Sequence, residues 1–132
     1  MRRAAAILLL ALALTGCTRG SSATQGFEGE EKRVAQVIAD LSGNAAQGKH
    51  AETCDQLLSK ALRERVAGGA ECASELKKAF QDADQSALDV KDVTIEGMAA
   101  GAQVTSEDRG KTIARPFKLV EEDQRWRIDG FG

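Results

Sequence analysis

The spacing of apolar residues changes once along this chain, close to Asp84, and that change limits the fold more than any other feature. Before it, apolar side chains recur three and four apart, as on one face of a helix. After it they fall on alternate positions, as on one face of a strand. A run of helices followed by a run of strands predicts an α+β domain.

The first helix is predicted from about Glu30 to Gln47, where Val34, Val37, Ile38, Leu41 and Ala45 draw one apolar stripe. Glu28, Glu30 and Glu31 lie at its N-terminal end, where negative charge is favoured, and Gly48 is a suitable stop. A second helix is predicted over about Ala51 to Arg65, with Cys54, Leu57, Leu58, Ala61 and Leu62 on one side. Gly68-Gly69 breaks the pattern. A third follows from Glu71 to about Asp82, with Cys72, Leu76, Ala79 and Phe80 inward.

Beyond Asp84, Leu88 to Glu96 is rich in β-formers, but its alternation slips between Val90 and Val93, which implies a bulge or a turn into the strand. Glu96-Gly97 is a tight turn. Met98, Ala100, Ala102 and Val104 alternate on the next strand, whose small residues suit close packing by a helix. After the turn Glu107 to Gly110, Ile113, Arg115, Phe117 and Leu119 share one face of a third strand. Pro116, in that strand, requires an edge or a bulge. Glu121 to Gln124 turns the chain again, and Trp126 and Ile128 share a face of the last strand. The expected domain is three helices packed on a four-stranded antiparallel meander, over residues 30–132.

The N-terminus carries a different message. Arg2 and Arg3 precede an unbroken apolar run, Ala4 to Leu14, and then Thr15-Gly16-Cys17. A basic head, a short apolar core and a small-residue site make up a secretory signal. The run is too short to cross a bilayer, which takes about 20 apolar residues. Leu14-Thr15-Gly16-Cys17 resembles the lipobox of bacterial lipoproteins, which implies cleavage after residue 16 and a diacylglyceryl group on Cys17. The alternative is an ordinary signal cut a few residues later. Residues 17–29 are rich in Gly, Ser and Thr and are expected to form a tether, with Phe27 either docked on the domain or stapling the first helix. Removing residues 1–16 takes away two of 18 basic side chains against 20 acidic, leaving a charge of −4. The signs are interleaved, with no basic stripe to hold nucleic acid.

With Cys17 lipidated, Cys54 and Cys72 are the only cysteines left to pair, and an oxidising compartment outside the cytoplasm would preserve their disulfide. His50, four residues before Cys54, opens a second reading, a zinc site. That reading lacks a fourth ligand, which structural zinc requires. No metal or cofactor is therefore expected.

Two segments resemble exported actinobacterial proteins of the nuclear transport factor 2-like fold, a cone of helices on a curved sheet. Gly48 to Ser59 is similar to their Gly-x-x-x-x-x-Cys-x-x-Leu-Leu-Ser corner, and Phe117 to Ile128 to their terminal hairpin with a charged turn before Trp-Arg-Ile. Cystatin-like sheets are the nearest alternative. The resemblance implies a pocket between the sheet's concave face and the first helix, and Leu41, Arg115, Phe117 and Trp126 are the residues expected to line it. Fold alone does not assign activity. Members resembling ketosteroid isomerase use a Tyr, absent here, and those resembling scytalone dehydratase use pocket histidines, whereas His50 is predicted at a helix corner. No catalytic set is evident, so an enzyme is the least favoured reading. A membrane-anchored module for a small apolar or anionic ligand is favoured. The alternative is an interaction domain of the cell envelope, for instance a homodimer through the exposed sheet face. Arg115 is either a ligand for an acidic group or a cation beside a bulge at Pro116.

Overall fold

A computed structural model of the chain describes residues 24–82 and 88–132. Within them, helix α1 (Gly29–Gln47) buries Val34, Ala35, Ile38 and Leu41. Glu30 and Glu31 occupy its first turn. Its C-terminus closes on Gly48, whose φ of 69° lies in the left-handed region that glycine enters without a Cβ penalty. Gly48 N–H donates to Ala45 O and Lys49 N–H to Asn44 O, so two orphan carbonyls are satisfied.

The single second helix expected from the sequence is two helices with a break. Helix α2 (His50–Glu52) passes into a π-helical turn, Thr53–Leu57, and the chain is then extended at Leu58 and Ser59 before helix α3 (Lys60–Ala67). The break has two causes. Ser59 caps α3, its Oγ accepting from Leu62 N–H at 3.0 Å. Its own N–H donates to Ile128 O at 2.8 Å, so this short extended segment lies parallel to the last strand. Leu57, Leu58 and Leu62 stay buried, whereas Ala61 is exposed. Helix α4 (Cys72–Asp82) buries Cys72 and Leu76, half-buries Phe80 and leaves Ala79 outside. Cys54 and Cys72 are joined by a disulfide, with Cα atoms 6.2 Å apart, so it links the π-helical turn to the first residue of α4.

Four antiparallel strands follow in the spatial order of the chain: β1 (Asp89–Glu96), β2 (Ala99–Asp108), β3 (Lys111–Glu122) and β4 (Arg125–Phe131). Gly97, at φ 61°, opens the two-residue turn between β1 and β2. Met98 belongs to that turn and is 68% exposed, so it is not part of the alternating inner face. Arg109-Gly110 and Asp123-Gln124 make the other two turns, all four residues at positive φ as the strand twist demands. The slip in β1 is a bulge: Val90 pairs with Val104 and Asp92 with Gln103, leaving Lys91 over. Val90 and Val93 thereby reach the same buried face. A second bulge leaves Asp129 over in β4, between Ile128 opposite Leu119 and Gly130 opposite Lys118. Bulges bend and twist a strand, which curves this sheet around the helices.

Pro116 costs no ladder bond. Its register with Gln103 of β2 is unbroken, and on its other flank β4 has already ended at Phe131. The Pro116 carbonyl there accepts from Gly132 N–H at 2.8 Å. Pro116 therefore sits where β3 outruns its neighbour, the edge condition for proline in a sheet.

Helix α1 crosses the inner face in contact with β1, β2 and β4. Its first turn is fastened to the far end of the sheet: Trp126 Nε1–H donates to Glu30 at 2.8 Å and Arg33 donates to Gln124 O at 2.8 Å. The hydrogen bond from Trp126, then that from Arg33, holds the Glu30 carboxyl below the usual carboxylate range. A lowered folded-state pKa adds stability above the unfolded value, about 4.3, and that contribution disappears as the pH falls through the lowered one. Glu30→Gln is therefore expected to reduce stability by a constant amount at neutral pH, and the gap from wild type should close below about pH 4. Urea titrations at several pH values would measure it, and a gap that widens in acid would contradict the assignment.

Candidate functional site

The inner face of the sheet has a filled end and an open end. At the filled end, Leu119, Trp126 and Ile128 are buried with Val34, Ile38 and Leu58. The two segments that carried the family resemblance meet here. Ser59 Oγ donates to Asp129 at 2.6 Å, Arg127 donates to Asp55 O at 2.8 Å, and Arg65 donates to Asp129 O. The bulge aims Asp129 at Ser59, and the Leu58-Ser59 segment covers part of the free edge of β4.

At the open end a cleft of about 530 Å³ lies between the second half of α1, helices α3 and α4, and the far halves of β2 and β3. Such a volume falls in the range of small-molecule sites, about 300–1,000 Å³. Leu41, Val66, Leu76, Phe80, Ile113 and Phe117 give it an apolar lining. Phe117 is braced edge-on by Phe131, ring centroids 5.2 Å apart, and Phe80 stacks on His50 at 5.7 Å. Beside the cleft Leu88 N–H donates to Ser42 Oγ at 3.4 Å, tying α1 to the start of β1.

Arg115 stands on this wall. It pairs with Val104, in an unbroken register that gives Phe117, Arg115 and Ile113 the same face. Pro116 causes no shift in the register with β2, so no bulge sets Arg115 apart; Arg115 is exposed, next to the edge position of Pro116, and borders the cleft. Arg115 and Arg109, which also borders the cleft, make no hydrogen bond or ion pair among the described residues. Glu107 and Asp108 complete the polar rim, and Glu107 accepts from Thr112 Oγ1 at 2.6 Å.

The structure thus brings three of the four expected pocket residues, Leu41, Arg115 and Phe117, to one cleft. Trp126 is not among them. It is 4% exposed, at the filled end, with its indole committed to Glu30. Val66 and Phe131 are lining residues that the sequence did not single out. Val66 follows Leu62 by four on α3, a spacing that puts it on the same helix face. Phe131 reaches the inner face only because the bulge at Asp129 shifts the alternation by one residue, so that it pairs with Phe117. Cys54 and Cys72 form the expected disulfide, and Cys17 lies outside the described residues. Among the described residues no group of three or more His, Cys, Asp or Glu is placed to hold a metal, and no helix is long and apolar enough to cross a membrane.

No protein-family model matches the chain, and no curated protein matches it. Among solved structures it is similar to the de novo designed NTF2 fold protein NT-9, with a TM-score of 0.49 and 17% identity over 76% of this chain and 82% of that one.

Proposed function

We propose that this chain is a lipoprotein held by Cys17 at the extracytoplasmic face of a cell membrane, whose domain binds a small, largely apolar molecule and does no chemistry on it. The observation that carries the binding reading is the cleft, with an apolar lining and, on its wall, a guanidinium that has no partner among the described residues. A cation in that position needs an anionic partner or solvent, and a carboxylate or phosphate can take two of its N–H donors at once. The ligand class that fits is an apolar body with one acidic group, seated against Phe117, Phe80 and Leu76 and facing Arg115. Among the described residues the titratable side chains at the cleft are Glu107, Asp108, Arg109 and Arg115, with no histidine or cysteine to serve as base or nucleophile. The Cys54–Cys72 disulfide supports a place outside the cytoplasm, where such bonds persist. The Leu14-Thr15-Gly16-Cys17 sequence supports the anchor.

Titration calorimetry with a panel of aliphatic and aromatic carboxylates should find binding to the folded domain. Arg115→Ala should weaken the best of them by about 10- to 100-fold, the usual worth of a charge-assisted hydrogen bond. Equal heats from the two proteins would remove Arg115 from the site, and no heat with any apolar acid or its neutral analogue would remove the binding reading.

A further inference from the structure

The point where the chain enters the domain and the rim of the cleft at the β2–β3 turn lie toward opposite ends of β3. Thr24 is buried, and its carbonyl accepts from Phe27 N–H at 3.4 Å, closing a turn directly before α1. Phe27 is half-buried against the core. The Trp126–Glu30 and Arg33–Gln124 hydrogen bonds then hold the start of α1 beside the β3–β4 turn. The cleft is bordered instead by Leu41 to Ala45 of α1 and by Asp108 and Arg109 at the β2–β3 turn. Those two turns are the two ends of β3, whose 12 residues extend over about 36 Å at 3.3 Å per step.

From this geometry we infer that the anchored domain stands with its β3–β4 turn toward the bilayer and its cleft facing away, so that the ligand is taken from the aqueous phase and not from the lipid. The inference rests on the reading of Cys17 as the lipid site. Seven Cα–Cα steps separate Cys17 from Thr24 and can span at most about 25 Å. A chain of that length cannot reach from the bilayer past the whole of β3, so it cannot turn the domain over.

Charge opposes this orientation on an anionic membrane, but weakly. Among the described residues the tethered pole carries Glu28, Glu30, Glu31, Glu96, Glu121, Glu122 and Asp123 against Lys32, Arg33, Lys60 and Arg125, an excess of acid. Among the described residues the cleft pole carries Lys91, Arg109, Lys111 and Arg115 against Asp89, Glu107 and Asp108, a slight excess of base. The attraction of basic residues to an anionic surface is weak and fades within a Debye length of about 10 Å. A covalent limit on reach is not overcome by an attraction of that size. The acidic pole should instead stand a little off the surface.

The test uses the full lipidated chain in phosphatidylcholine vesicles, with and without phosphatidylglycerol, containing a lipid-borne energy acceptor. Asp123→Cys and Lys111→Cys place a donor dye on exposed residues at the two poles, while the native pair stays closed as a disulfide. Transfer from position 123 should exceed that from position 111 several-fold in both lipid mixtures. Equal transfer, or more from position 111, overturns the orientation and leaves the anchor in place. If neither position transfers and the protein stays in the supernatant, as a Cys17→Ala control must, the anchor fails and the orientation with it.

Discussion

Replacing Cys54 and Cys72 together with alanine is expected to destabilise the domain by about 3 kcal/mol, the chain-entropy value for a loop of this length. In a domain of about 100 residues that corresponds to a fall in Tm of roughly 12–24 °C. The separation of 18 residues sets the entropic part. Cys54 belongs to the π-helical turn, and the residues directly after that turn, Leu58 and Ser59, pair with Ile128 and cap α3. A free turn would loosen the cover on the β4 edge as well as the α2–α4 contact. The result should appear in thermal melts of the double alanine protein, and equally in wild type with excess reductant. A shift of only a few degrees would mean that the two cysteines are unpaired in the protein as isolated.

The strands could be read almost to the residue because alternation has only two phases, and burial of one face excludes the wrong one. Val90 and Val93 were readable as a bulge for the same reason: two valines three apart cannot share a face on a regular strand. Periodicity gives a residue's face but not its place along the element. Trp126 and Phe117 do share the inner face, yet α1 lies over one and leaves room beside the other. That difference depends on where the helix crosses, which no local pattern encodes. The break at Leu58-Ser59 was obscured by the apolar stripe, which runs through it from Cys54 to Leu62. Ser59, a good N-cap three residues before Leu62, was the available signal, and its pairing with Ile128 is a contact 69 positions away in the chain. Phe131 was hidden in turn by the bulge at Asp129.

The contrast between the two ends of the sheet predicts unequal penalties for the same chemical change. Ile128 is fully buried, opposite Leu119 and against Leu58, and its neighbours are held by strand pairing and cannot collapse into a void. Ile128→Ala should cost about 2–5 kcal/mol, and Ile128→Val about 0.5–1.5 kcal/mol, as deleted methyl groups leave a cavity. Ile113 lies on the same inner face but only half-buried, on the wall of the cleft. Truncating it enlarges a space that water already reaches, so Ile113→Ala should cost less than about 1 kcal/mol, the transfer value of the little area it buries. Denaturant melts of the three variants would give the comparison. An Ile113→Ala penalty as large as that of Ile128→Ala would mean that side chains pack the open end in solution, and the site proposed for a ligand would not exist. If the penalties separate as expected, Ile113→Ala becomes the more useful variant for function, because a larger cleft on a domain that has lost little stability should shift preference toward bulkier apolar acids.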